Sequence, residues 1–256
     1  FDSAGPLTGR HWPIRYRTDE QDRVQTLRRF GVLGFTSLIY PHKPQMAAWL
    51  NQWATQFARD TADCVHTATF YPEPGAGEYV ADAIGQGARV FKAHLQVGRY
   101  DPNDPLLDEV WATLEQAAVP VVIHCGSGPV AGEHTGPKPI AQLLARHPGL
   151  SLIVAHMGMP EYGEFLDLCE RFARVRLDTT MAFTSFAEDM MPFPTSLQPR
   201  LLELGDHILF GSDFPNIPYG YPEAIRAITR LPGVDDAWLR GVFHDNAAQL
   251  FSVGSR

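Results

Sequence analysis

Cysteine is scarce and odd in number. The 256 residues hold three, Cys64, Cys125 and Cys169, with no Cys-x-x-Cys pair. A disulfide framework is not expected, and a reducing cytoplasm is the simplest compartment. No apolar run is long enough to span a bilayer, and no secretory leader is visible at the start. No low-complexity tract, charge block or linker interrupts the chain. A Gly-x-Gly-x-x-Gly turn after an early strand is also missing, which removes the main signal for a dinucleotide fold. Positive charge is in the minority: 21 Lys and Arg face 29 Asp and Glu, for a net charge of -8. An acidic surface argues against non-specific binding to nucleic acid or to an anionic membrane.

What is present suits a globular protein with a full core. Hydrophobic residues make up 45% and charged residues 20%. Residues 1–256 fit one large domain, and a parallel α/β barrel needs roughly 250 residues. Short apolar runs bounded by Gly or Pro read as buried strands: Val32–Tyr40, Val65–Tyr71, Ala88–Leu95, Val119–Cys125, Leu150–Met157, Val175–Thr180 and His207–Asp213. Helical stretches fall between them: Gln45–Asp60, Gly77–Gln86, Pro105–Ala118, Pro139–His147, Glu161–Ala173, Ser196–Leu204 and Pro222–Leu231, with Asp235–Phe251 closing the chain. Alternation of this kind implies parallel pairing with right-handed crossovers. The expected fold is α/β, a (β/α)8 TIM barrel. Seven strands are visible, and Asp19–Phe30 reads as the amphipathic helix that should follow strand 1. The first strand is therefore expected upstream of Phe1. Gly9–Arg17, interrupted by Pro13, reads as a loop.

Three of the runs end alike, in VVIHCGSG, LIVAHMGMP and ILFGSDFPN. Each stops at a residue able to bind metal, and a small residue or turn follows. The C-terminal strand ends of a barrel form one rim, so His124, His156 and Asp213 should converge there. His156 lies 32 residues after His124, about one βα unit, and Asp213 lies 57 after His156, about two. Imidazole and carboxylate are the usual ligands of a catalytic zinc with an open position for water. A single histidine at a strand end is more often a hydrogen-bonded rim residue than a ligand, and Asp213 alone could cap a turn. Coincidence of all three is what points to chemistry.

With these ends in view, the sequence resembles the amidohydrolase superfamily, in particular the amidohydrolase-2 branch that also contains decarboxylases of aromatic and unsaturated acids. His124, His156, FGSDFP at Phe210–Pro215 and DNAAQLF at Asp245–Phe251 carry the resemblance. It implies that His124 and Asp213 bind a divalent metal, zinc or manganese, and that His156 binds metal or acts on substrate or water. His156 and Asp213 are thereby the candidate catalytic residues. A His-x-His pair is implied at the end of strand 1, but His11 has no partner at that spacing. The pair is expected upstream with the missing strand. The resemblance also makes a homodimer plausible.

Lys92 and His94 lie two apart on one strand and share a face. Both are candidates for binding a small, anionic substrate. Lys92 could alternatively be carboxylated and bridge two metals, as in other branches, or be a rim lysine with a snorkelling stem. Asp178 could hydrogen-bond a ligand. His42 and His134 should sit on the rim, while His66 reads as structural. Cys125 points away from the site. Trp12, Tyr16, Phe183, Phe214 and Tyr219 could wall a pocket. The leading function is hydrolysis of an amide, ester or lactone by metal-activated water. The alternatives are non-oxidative decarboxylation of an aromatic or unsaturated acid, and a non-catalytic barrel subunit that lacks a complete metal site.

Overall fold

The structure, a computed structural model, describes residues 12–251. His11 and the start of the expected Gly9–Arg17 loop lie outside them; residues 12–17 form neither helix nor strand. The strands are β1 (Phe35–Thr36), β2 (Cys64–Val65), β3 (Thr67–Thr69), β4 (Val90–His94), β5 (Val121–His124), β6 (Leu152–Val154), β7 (Val175–Asp178) and β8 (Ile208–Leu209). Every pairing is parallel, and β3 to β8 form one sheet in chain order. β1 pairs with β2, which is separated from β3 only by His66. The expected Val65–Tyr71 strand is thus one run with a break. Seven consecutive strand positions of a barrel are formed, as the sequence implied.

The connections are helical: α1 (Glu20–Arg29), α2 (Ala47–Asp60), α3 (Ala76–Gly85), α4 (Leu95–Gly98), α5 (Asp108–Ala117), α6 (Pro137–Arg146), α7 (Tyr162–Arg171), α8 (Ser185–Glu188), α9 (Gln198–Glu203) and α10 (Tyr221–Thr229). Asp19 caps α1 by accepting from the Asp22 amide at 2.8 Å. Asn51 of α2 ties that helix to β3: its amide donates to the Thr69 carbonyl, and its carbonyl oxygen accepts from the Thr69 amide.

Side-chain alternation divides the apolar residues between two cores. Phe91, Val121, Ile123, Leu152, Val154 and Leu177 face outward, under the helices. Val65, Val90, Val122, Ile153 and Leu209 face inward and form a separate cluster inside the sheet. Lys92 and His94 follow Val90 on the inward face, and His124 follows Val122. The floor of the barrel is therefore apolar, and its C-terminal end is polar.

Several strands are shorter than the apolar runs. Of Val32–Tyr40 only Phe35–Thr36 is extended, and of His207–Asp213 only Ile208–Leu209. Leu150–Met157 leaves the sheet after Val154, because His156 and Met157 adopt left-handed backbone, with φ of 57° and 56°. The expected single helix Asp235–Phe251 is three pieces: α11 (Asp236–Arg240), a π-turn over Gly241–Asp245, and α12 (Asn246–Phe251). The break lets the Val242 carbonyl accept from the Phe210 amide just beyond β8. Asn246 then donates to the Gly205 and Ile208 carbonyls, each at 2.8 Å. Ala247, Leu250 and Phe251 pack against the inner apolar cluster. The DNAAQLF stretch thus anchors the chain end to β8 and the barrel floor.

Candidate active site

β1 and β8 do not pair with each other, and a cleft of 1880 Å³ opens along the inner wall between them. Lys92, His94, His124, His156, Asp178 and Asp213 all line it. The convergence inferred from the strand ends is therefore found, but through three different local devices.

The first device is strand register. His94 and His124 end β4 and β5, and they are paired residues across the ladder. Side chains at paired positions project from the same face. Their rings stack, with centroids 4.0 Å apart and planes 13° apart. His94 Nδ1 accepts from the Val97 amide at 3.3 Å, so in the neutral ring its proton is on Nε2. Nε2 of His124 is sealed from solvent without a hydrogen-bond partner. Desolvation holds both imidazoles well below their ordinary pKa of 6.5, and the neighbouring histidine and lysine charges push the same way.

The second device is a turn. The left-handed backbone at His156 tips its ring toward His124, with centroids 4.9 Å apart. Asp178 at the end of β7 accepts from the His156 and Thr180 amides, both at 3.0 Å. It holds the backbone of a site residue, in keeping with the supporting role read from the sequence. His156 Nδ1 lies 3.1 Å from the Thr180 carbonyl. A carbonyl only accepts, so Nδ1 carries the proton and Nε2 keeps its lone pair in the neutral ring.

The third device is the FGSDFP turn. Asp213 also has left-handed backbone, with φ of 53°. Gly211 permits the tight approach of this turn to the end of β7: an added Cβ would collide with Thr180 Oγ1 and meet Asp178 Oδ1 at 2.9 Å. Burial raises the Asp213 pKa, and His156 and Lys92 pull it back. Lys92 is itself buried, and desolvation lowers its pKa against the opposing charges of Asp178, Asp213 and Cys125. Non-glycine residues in the left-handed region cost about 1–3 kcal/mol each, a strain that clusters at functional sites.

Chemically, two imidazoles and a carboxylate suit a divalent cation, and the orphaned His124 Nε2 is an unused donor direction. Among the described residues, however, no three His, Cys, Asp or Glu side chains are gathered closely enough to hold an ion as they stand. His124, His156 and Asp213 fit such an ion in kind, as part of a ligand set.

Other candidates divide between the cleft and the rest of the fold. Trp12 and Phe214 line the cleft; Tyr16, Phe183 and Tyr219 do not. His42 is exposed, His134 lies 3.9 Å from Glu133, and neither lines the cleft. His66 lines the cleft as well, and it is bonded to Thr55 of α2 at 3.0 Å. Cys125 is fully buried, with burial pushing its thiol well up, and it does not line the cleft. Two participants went unnoticed in the sequence. Tyr40 packs against His94 with centroids 4.6 Å apart and ring planes tilted by 48°, and burial and the charge of Asp213 push its phenol up to about 12. The Thr180 carbonyl fixes the His156 ring. Both end predicted strands, so the strand-end rule that found the histidines points to them too.

A protein-family model described as Amidohydrolase matches residues 7–253. No curated protein matches the sequence. Among solved structures, an uncharacterised TIM-barrel protein from Bordetella bronchiseptica superposes with TM-score 0.74 at 17% identity, covering 91% of this chain and 83% of that one. A protein assigned as a 2-pyrone-4,6-dicarboxylic acid hydrolase from Pseudomonas putida gives 0.68 at 15%, covering 100% and 96%. The 5-carboxyvanillate decarboxylase of Novosphingobium aromaticivorans, complexed with manganese and 4-hydroxy-3-methoxy-5-nitrobenzoic acid, gives 0.61 at 13%, covering 98% and 87%. At these identities the likeness shows the TIM-barrel fold.

Proposed function

The chain belongs to the amidohydrolase family, and from that premise we propose that it hydrolyses an amide, ester or lactone of a small anionic molecule at the His124, His156 and Asp213 rim. The observation that carries this reading is the meeting of those three residues with Lys92 and His94 along one cleft. A divalent ion held by His124, His156 and Asp213, zinc or manganese, would supply Lewis acidity at the carbonyl and acidify water.

The chain's own groups do the rest. Asp213, made more basic by burial, takes the proton of the attacking water and returns it to the leaving group. His156, with Nδ1 fixed by Thr180, presents Nε2 to the reacting centre as acceptor or ligand. Lys92 pairs with the substrate's negative charge, and His94 and Tyr40 close the side of the site. A second reading, decarboxylation of an aromatic or unsaturated acid, is favoured by the apolar side chains that line the cleft with the polar groups, among them Met159, Met181 and Phe214: a carboxylate stripped of water loses carbon dioxide more readily. There Asp213 or His156 would deliver the proton to carbon.

Full-length protein loaded with Zn²⁺ or Mn²⁺ and assayed on esters, lactones, amides and hydroxybenzoates separates the two. Carboxyl-ester, lactone or amide turnover supports the first, and carbon dioxide release the second. Absence of both, with no bound metal by elemental analysis, would leave only a non-catalytic barrel. A cytoplasmic, homodimeric enzyme completes the proposal, the reducing compartment being supported by three free thiols; light scattering would test the dimer. Among the described residues, no helix is long and apolar enough to cross a membrane.

A further inference from the structure

Glu161 and Ser127 join the two loops that follow the histidine strands β5 and β6. Ser127 stands three residues after His124, and Glu161 stands five after His156. The Ser127 amide donates to Glu161 Oε2 at 3.1 Å, and the Ser127 hydroxyl donates to Oε1. Each carboxylate oxygen thus takes one donor of the same residue. Beside them the Gly128 amide donates to the Met159 carbonyl at 3.0 Å, and the Met159 amide donates to the His156 carbonyl at 3.0 Å. The loops meet backbone to backbone: a Cβ on Gly126 would meet the Met159 carbonyl oxygen at 2.5 Å and the Gly158 carbonyl carbon at 2.7 Å.

Glu161 occupies the N-cap of α7, yet its side chain accepts from no amide of that helix. It crosses to the β5 loop instead. Neither Glu161 nor Ser127 lines the cleft, whereas His124, Gly128 and His156 do. The carboxylate therefore stands behind the wall of the site. What reaches His124 is the residue after Ser127. The Gly128 backbone hydrogen-bonds to the His124 ring and favours its protonated form. A group with that effect is an acceptor, so it is the carbonyl. Nε2 of His124 has no partner, which leaves Nδ1 as the donor. His124 then has the tautomer that Thr180 gives to His156, with a proton on Nδ1 and a lone pair on Nε2.

We propose that Glu161 is a positioning residue: it holds Ser127 so that the Gly128 carbonyl fixes the His124 ring with the Nε2 lone pair kept for a ligand. The proposal deepens the reading above, since it takes His124 as a metal ligand, but the state of the ring can be read in metal-free protein.

Glu161→Ala removes both acceptors, and Glu161→Gln keeps the length and one acceptor oxygen. Glu115→Ala is the control, because Glu115 makes a like clamp at the other end of the sheet, accepting from the Gly149 amide at 2.6 Å ahead of β6. Full-length, metal-free protein labelled with 15N at histidine is read by long-range 1H–15N correlation at about pH 8, where ordinary imidazoles are neutral. His124→Gln and His156→Gln assign the two signals. Zn²⁺ and Mn²⁺ affinities are measured on the same samples. The parent should show Nδ1–H at both histidines. Glu161→Ala should mix Nε2–H into His124, leave His156 unchanged and weaken metal binding about 10- to 100-fold. Glu161→Gln should recover most of that loss. Glu115→Ala should lower Tm and leave the His124 pattern and metal affinity as in the parent.

An Nε2–H pattern at His124 in the parent, or a parental pattern in folded Glu161→Ala, overturns the positioning role. Equal changes at His124 in Glu115→Ala overturn it too, since they would reduce Glu161 to general stability. Should Glu161→Ala fail to fold, Ser127→Ala takes its place with the same outcomes. A changed His124 pattern in a protein that binds neither metal leaves Glu161 as the group that sets the ring and sinks the metal reading instead.

Discussion

His94 and His124 are register partners across β4 and β5, and their rings lie face to face at 4.0 Å. One imidazole therefore buttresses the other, and Tyr40 backs the outer ring in turn. Support of this kind fixes the orientation of a reacting or ligating group. Its loss typically costs about 10- to 100-fold in activity or metal affinity. His94→Ala should lower kcat/KM by about that much. His94→Phe, which keeps the stacked face, should recover most of it. Equal losses in the two variants would show that His94 acts through its nitrogens and not through the stack.

Asp213 is the proposed proton carrier. Asp213→Asn keeps the shape of the turn but removes the base, and kcat should fall by about 10²- to 10⁴-fold. Circular dichroism should stay unchanged, because the backbone bond from the Asn216 amide to the residue-213 carbonyl does not depend on the side chain. Near-normal turnover would move the base role to another residue.

Lys92 should act on substrate binding more than on chemistry. A charge-assisted hydrogen bond contributes about 1.5–3 kcal/mol, or roughly 10- to 100-fold. Lys92→Met should raise KM for an anionic substrate by that factor, with a smaller change in kcat. A fall in kcat alone would place Lys92 in the chemical step.

Asn246 is a stability prediction away from the site. Its amide satisfies two carbonyls at the entry to β8. Asn246→Ala should cost about 1–3 kcal/mol. For a chain of this size each kcal/mol lowers Tm by about 2–4 °C. A Tm within error of the parent would mean that water replaces the amide without loss.

His66 sets a pH dependence. Thr55 Oγ1 donates to the Asn51 carbonyl at 2.8 Å, so toward His66 Nε2 it accepts, and Nε2 carries a proton in the neutral ring. Burial holds the His66 pKa below the ordinary 6.5. As pH falls through 6.5, the unfolded chain gains a proton that the folded one resists, so stability drops on the acid side. The buried pair His94 and His124 contributes in the same direction. Tm should fall from about pH 7.5 to about pH 5.5, and His66→Gln should reduce that fall. An unchanged slope in the variant would assign the dependence to other groups.

Much of this molecule was legible in one dimension. Apolar runs broken by Gly and Pro marked all seven strand positions, because a strand buried on both faces needs an unbroken apolar stretch. Three polar residues ending such runs marked the rim, because strand ends in a parallel barrel share one side. Strand lengths were not legible. Ser37–Tyr40 and Phe210–Asp213 read as extended from their composition, yet neither continues the sheet, and both line the cleft. The left-handed backbone of His156 and Asp213 is tolerated by those residue types but not dictated by them, and at His156 the hydrogen bonds to Asp178 and Thr180 help to hold it.

Local sequence determined the order of strands and helices, the inward alternation that carries Lys92, His94 and His124, and the caps that bound the helices, because these depend on near neighbours and on a period of two or 3.6. Tertiary structure alone decided that His94 faces His124 and that Thr180 sets the His156 tautomer. Those contacts join residues tens of positions apart. They depend on register and on the paths of loops, which no short window of sequence encodes.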